Sequence, residues 1–280
     1  MTFRNVIQKS RGQAATEGAG VKIRRFIATA DLPQIDPFLL LDEFKSDRTE
    51  DFIAGFPPHP HRGFETVTYM LRGRSRHKDS TGAEGLLQSG DVQWMTAGRG
   101  VIHSEMPEAA DGELWGYQLW VNLPAAQKMI APRYQDIPAA KIPEVTLPGG
   151  TAKVIAGTLL DTTSPADSIT GITYLDVSLE DGAAFSHGLA QRLAQDDAAF
   201  LFVIEGSAAI GTADATLDAG ELGHLGSGDE IYLQAKGPTR FLLVAGTPLR
   251  EPIARGGPFV MNSRAEIQQA FVDYQNGQLA

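Results

Sequence analysis

Short runs of β-branched and aromatic residues recur along the chain between clusters of Gly, Pro, Asp and Ser: TVTYML (66–71), DVQWMT (91–96), LWGYQLWVNL (114–123), GITYLDVSL (171–179), AFLFVIEG (199–206) and RFLLVAG (240–246). Many short strands punctuated by turn residues predict an all-β sandwich or barrel. One helix interrupts this pattern and closes the chain. Ser263 is its N-cap with Glu266 three residues on, Ile267, Phe271 and Tyr274 share a face, and Asn276-Gly277 supplies the stop. The stretch PAAQKMIAPRYQDIPAAKIPEV (124–145) carries four prolines and little periodicity, so it reads as a connection, with a boundary near 140.

The two sides of that boundary resemble one another. YMLRG (69–73) matches FVIEG (202–206), and LQSGDVQWM (87–95) matches LDAGELGHL (217–225). In each copy an apolar strand ends at a glycine and a Gly-acidic turn opens the next strand, which is the signature of two copies of one β unit. Residues 1–140 are thus expected to form one domain, and residues 141–280 a second that includes the helix.

Composition narrows the chemistry. A chain of 280 residues exceeds the usual single-domain size of roughly 100–200 residues. Its 42% hydrophobic and 21% charged residues fit a globular protein rich in turns. The formal net charge of −10 repels phosphate backbones, and no basic run longer than Arg24-Arg25 offsets it, which disfavours nucleic acid as a partner. No apolar run is long enough to span a bilayer, and MTFRNVIQKSRGQAATEG lacks the apolar core of an export signal, so a cytoplasmic protein is expected. There is no cysteine, so any metal must be held by nitrogen and oxygen.

The segment FPPHPHRGFE (56–65) is where such ligands gather. Prolines oppose a helix and permit an edge strand, in which His59 and His61 face the same side. GRGVIHSEMP (98–107) repeats the arrangement with His103 and Glu105. One H-x-H pair alone reads more often as a turn or a hydrogen-bonded surface pair than as a metal site. Two facing pairs would supply three imidazoles and a carboxylate to one ion. Glu65 shares the histidine face if the strand is unbroken, and competes with Glu105 as a ligand or orients an imidazole. His77, His187 and His224 have no partner nearby in sequence and read as surface or packed histidines. Trp94, Trp115, Trp120, Met95 and Met106 read as core, and Arg62 and Arg99 as solvated residues or steering groups for an anion.

GFPPHPHRGFETVTYMLRG followed by GDVQWMTAGRGVIHSEMP resembles the signature of the pirin family, a branch of the bicupin β-barrel superfamily; DPFLLLDEF (36–44) and GGPFVMN (256–262) are similar to its other marked segments. The resemblance implies two tandem cupin barrels with one metal in the N-terminal barrel, held by His59, His61, His103 and Glu105. Fe(II) is the first choice for that nitrogen and oxygen set, which Mn, Ni, Cu, Co or Zn could equally occupy. Some members open the ring of quercetin with O₂, and an animal member is a nuclear transcriptional co-regulator. The resemblance therefore implies either a dioxygenase acting on a flavonol-like aromatic or a metal-bearing regulator with a protein partner.

Three histidines and one carboxylate leave two adjacent positions open on an octahedral metal, which suits the oxygenase. Glu105, or Glu65 if it is not a ligand, is then the candidate for taking a substrate proton. Phe56, Trp94, Met95 and Met106 are candidates for the pocket lining. Carried across the repeat by aligning Gly73 with Gly206 and Gly90 with Gly220, the ligand positions fall near Arg192, Ala194, Leu233 and Ala235, so the C-terminal barrel is expected to lack a metal.

Overall fold

The computed structural model describes residues 2–80, 82–109, 112–188, 194–212 and 215–280. Strands are the dominant regular structure of the described residues, with one α-helix, Arg264–Gln275. Two compact units divide it: the first holds Gln13–Gln34, Phe38–Ala139 and Leu249–Ala280, the second Met1–Gly12, Ile35–Pro37 and Ala140–Pro248.

Each unit is built from a seven-stranded and a four-stranded antiparallel sheet whose strands run in corresponding order. In the first unit the large sheet runs Arg133–Ile137, Val92–Thr96, Phe64–Arg72, Leu114–Asn122, Phe38–Ser46, Val21–Ile27, Gln13–Glu17. The small sheet runs Phe56–His61, Val101–Glu108, Arg74–Asp79, Glu84–Leu87. In the second unit the large sheet runs Val6–Ser10, Leu222–Leu225, Ala198–Glu205, Thr239–Gly246, Thr173–Leu179, Gly150–Ala156, Glu144–Leu147. Its small sheet runs Ala184–Gly188, Glu230–Ala235, Ser207–Ile210, Ala215–Asp218. Gly73 and Gly206 sit between corresponding strands with φ of 85° and 78°, a left-handed turn that favours glycine, which explains the repeated YMLRG and FVIEG.

The division differs from 1–140 and 141–280 at both ends. The strand Val6–Ser10 pairs with Leu222–Leu225, so the N-terminal residues complete the second unit's sheet. Residues 249–280 belong to the first unit, and the helix goes with them. That helix forms as its sequence predicts: Ser263 Oγ accepts from the backbone N–H of Glu266, and Glu266 Oε2 accepts from the backbone N–H of Asn262. Ile267 packs with Phe259, Ala270 and Leu279. The proline-rich connection also contributes a strand, because Arg133–Ile137 pairs with Val92–Thr96 at a sheet edge.

The interiors differ. The second unit is filled by one apolar cluster that includes Phe185, Leu201, Val203, Ile231, Leu233 and Phe241. The first holds smaller clusters, one of them built on Val21, Ile23, Phe44 and Met70, beside a cavity of about 870 Å³. No helix among the described residues is long and apolar enough to cross a membrane.

Candidate metal centre

The cavity's reactive wall begins at an edge strand. Phe56–His61 pairs on one side only, with Val101–Glu108, so the N–H groups missing at Pro57, Pro58 and Pro60 cost no ladder bonds on the open side. The extended backbone sends His59 and His61 to the same face. The register sets His103 directly opposite His59 and Val101 opposite His61. The ladder then shifts register between His103 and Glu105, a bulge of the kind that re-aims a side chain beside a site.

The ligand nitrogens of His59, His61 and His103 all lie within 4.8 Å of one another. The ring centroids are separated by 4.7 Å (His59–His61), 4.4 Å (His59–His103) and 5.1 Å (His61–His103). Glu105 lies beside this group, with Oε2 4.0 Å from His103 Nε2.

Protonation favours ligation. Burial, reinforced by the neighbouring histidines, holds His61 and His103 well below the usual histidine range, so both are neutral with a lone pair to give. His59 Nδ1 is 2.9 Å from Pro57 O. A carbonyl only accepts, so Nδ1 carries the proton and Nε2 is free to bind an ion. Neither ring nitrogen of His103 has a hydrogen-bond partner among the described residues, although both are buried. Such a ring is costly in a packed core and is relieved by a cation. Burial raises the pKa of Glu105, opposed by the histidines and by hydrogen bonds from Gln118 and Thr68. The donor set therefore fits a divalent metal of nitrogen and oxygen preference.

The other site candidates fall differently. Glu65 is fully buried on the adjoining strand; Thr96 Oγ1 donates to its Oε1 at 2.7 Å, and it does not line the cavity. Phe56 lines the cavity, whereas Trp94 and Met95 are buried away from it and Met106 is 38% exposed, so three of the four expected lining residues are elsewhere. The apolar wall is formed instead by residues such as Ile23, Leu40, Phe44, Met70, Leu87 and Leu114.

Arg62 is neither solvated nor a steering group. It is 3% exposed, with Nη1 2.7 Å from Asp273 Oδ2 and Nε donating to Arg99 O. Nearby, the ammonium of buried Lys128 donates to Gly63 O at 2.7 Å, Asn122 Oδ1 at 2.6 Å and Val260 O at 3.0 Å. Burial lowers its pKa to about 8, so at neutral pH it is charged. These contacts tie the chain just past His61 to the segment 249–280.

Sequence reasoning missed His77, which lines the cavity, sits opposite Glu105 in the ladder, stacks on Tyr134 and has Nε2 3.1 Å from Asp136 Oδ2. A signal was present in RSRHKD (74–79), where Arg74, Arg76 and Lys78 alternate with Ser75, His77 and Asp79.

The corresponding strands of the second unit carry a different set. Counting from Gly73 and Gly206 sets His77 against Ile210, and the ladders then set Glu105 against Leu233, His103 against Ile231 and His59 against His187. His61 corresponds to residue 189, and that position, like Arg192, lies outside the described residues. The sequence alignment on glycines therefore misplaced these positions: Leu233 corresponds to Glu105 and not to His103.

Paired sheets repeated twice, with a histidine-lined cavity in the first unit, define a protein of the two-cupin class. The family models agree: one described as Pirin matches residues 20–121, and one described as Pirin C-terminal cupin domain matches residues 174–280. The chain belongs to the pirin family. A pirin-like protein of Caulobacter vibrioides is 46% identical over 99% of both chains. Human Pirin is 44% identical over 93% of this chain and 89% of its own. The crystal structure of a quercetin 2,3-dioxygenase from Acinetobacter baumannii is similar with a TM-score of 0.89 at 34% identity, covering 100% of this chain and 99% of that one.

Proposed function

We propose that this chain is a metal-dependent dioxygenase that opens the ring of quercetin or a related flavonol with O₂, using a metal held by His59, His61, His103 and Glu105. The observation that carries this reading is the three-histidine cluster with Glu105 beside it, of which His59, His61 and Glu105 line a cavity of about 870 Å³. That volume suits a drug-sized planar molecule. The likeness to the Acinetobacter baumannii quercetin 2,3-dioxygenase supports the substrate class.

When bound, an Fe(II) or similar ion supplies Lewis acidity towards a hydroxyl and carbonyl pair and electron exchange with O₂. The protein's own groups do the rest. The apolar wall excludes water and holds a flat ring system. Glu105, flanked by Thr68 and Gln118, is placed to take the proton that a flavonol hydroxyl gives up. Glu65 stays off the cavity, so that role falls to Glu105. Arg62 and Lys128 fix the backbone after His61 and so hold the imidazoles in place.

The test is loss of flavonol absorbance with oxygen uptake and carbon monoxide release by iron-loaded protein. An authentic quercetinase active in the same cuvette, with this protein showing neither oxygen uptake nor carbon monoxide, would overturn the proposal and leave the metal-bearing regulator with a protein partner.

A further inference from the structure

Two arginines line the cavity, and their situations are opposite. Arg25 is saturated: Nε and Nη2 bind Asp42 at 2.8 and 2.7 Å, and Nη2 is also 2.9 Å from Glu17. Arg255 touches no carboxylate among the described residues. Its one hydrogen bond to a described residue is from Nη1 to Leu39 O, at 3.4 Å. Its guanidinium lies over the indole of Trp120, with Cζ 5.0 Å from the ring centroid, and that ring meets His61 edge-on at 5.2 Å. An exposed cation is thus held one indole away from the histidine cluster. Although the side chain reaches solvent, burial of its enclosed part first, and then the nearby charge of Arg25, lower its pKa against the opposing pull of Asp42 and Glu17, so an anion would relieve a net electrostatic penalty.

The π-face of Trp120 presets the orientation of the guanidinium, and most of its five N–H donors remain unused. A planar donor fork in this state matches an oxyanion, which it can bind by two parallel hydrogen bonds. The apolar wall at the same time selects a flat ring system.

We propose that Arg255 forms an anion subsite at the mouth of the cavity, so that the preferred ligands are planar aromatics bearing an oxyanion substituent, a carboxylate or a sulfo group, rather than neutral flavonols. This deepens the dioxygenase reading and rests on it for the choice of an aromatic ligand. Arg255 is a specificity residue: it touches the far end of the ligand and takes no part in the oxidation.

Binding is measured without turnover, by calorimetry under nitrogen on metal-loaded protein. The probes are a neutral flavonol and its derivatives carrying one sulfonate or one carboxylate on the pendant ring. Wild-type protein is expected to bind the anionic probes about fivefold more tightly than the neutral one, a margin that shrinks with added salt. In Arg255→Gln the ratio should fall to about one, and Arg255→Lys should restore part of it as a point charge without the fork. Metal content checks that each variant keeps its site. A preference for sulfonate over carboxylate, or the reverse, identifies the better oxyanion, and either supports the subsite. Equal affinities in wild type, or an unchanged ratio in Arg255→Gln, overturns it. The catalytic reading fails separately, by absence of carbon monoxide from iron-loaded protein, while the affinity ratio still stands.

Discussion

The two units place different side chains on corresponding faces of corresponding small sheets. In the first, His59, Glu105 and His77 border a cavity with buried His103 behind them; in the second, the counterparts of His59, His103, Glu105 and His77 are His187, Ile231, Leu233 and Ile210, and the last three belong to the apolar cluster. His187 is left alone among them, fully buried and ring-parallel to Phe185 at 6.4 Å, with no hydrogen-bond partner for either nitrogen among the described residues. The difference teaches that the sheets do not specify chemistry. A few positions exchanged between polar ligands and aliphatic side chains decide whether the interior is a site or a core.

The largest expected effect concerns metal content. Wild-type protein should carry one metal per chain, His61→Ala and Glu105→Ala should fall to background, and Glu65→Ala and His187→Ala should retain it. Elemental analysis after gel filtration reads this. Full occupancy in His61→Ala, or loss in His187→Ala, would remove the contrast between the units.

Next is the clamp behind the histidines. Lys128→Met leaves Gly63 O, Asn122 Oδ1 and Val260 O without their shared donor, which should cost about 4 kcal/mol in denaturant unfolding. The same variant should bind metal more weakly, because Gly63 lies two residues after His61. Unchanged stability would show that the ammonium is dispensable.

Acid should act on the second unit through His187. Burial, with the charge of Arg4, lowers its pKa from 6.5 to about 4. Between these values the unfolded chain binds more protons than the folded one, so stability rises with pH there and is lost as pH falls from 6.5 towards 4. The full loss is about 3 kcal/mol. His187→Leu should flatten that part of the pH profile relative to wild type, and parallel profiles would refute the assignment.

The smallest effect is at the helix. Ser263→Ala removes the N-cap acceptor and should cost about 1 kcal/mol. Hydrogen exchange should quicken in 249–280, within the first unit, and not in 140–248.

The histidine cluster was legible because His59 and His61 lie two residues apart on one strand, where alternation dictates a shared face, and His103 lies opposite His59; the place of Glu105 depends on the register shift after His103, which the sequence does not announce. His77 and Arg62 were not legible, because their partners Asp136 and Asp273 lie 59 and 211 residues away. The second unit's positions were missed by counting: His59 lies 14 residues before Gly73, but His187 lies 19 before Gly206, and only the ladder reveals the longer connection. The strand Arg133–Ile137 was hidden by its flanking prolines, which an edge position tolerates. The resemblance to pirins rested on contiguous segments and so survived all of these misreadings.

The allotment of residues 249–280 to the first unit has a consequence during synthesis. The histidine strand leaves the ribosome early, yet Asp273 and Val260, which hold Arg62 and Lys128, are made 211 and 132 residues after them. Nascent domains generally fold as they emerge, first-made first. Here the order of completion is reversed: residues 1–248 already contain all of the second unit, whereas the unit bearing His59, His61 and His103 also needs residues 249–280. A chain cut at residue 248 would contain every segment of the second unit and lack the segment that holds Arg62 and Lys128.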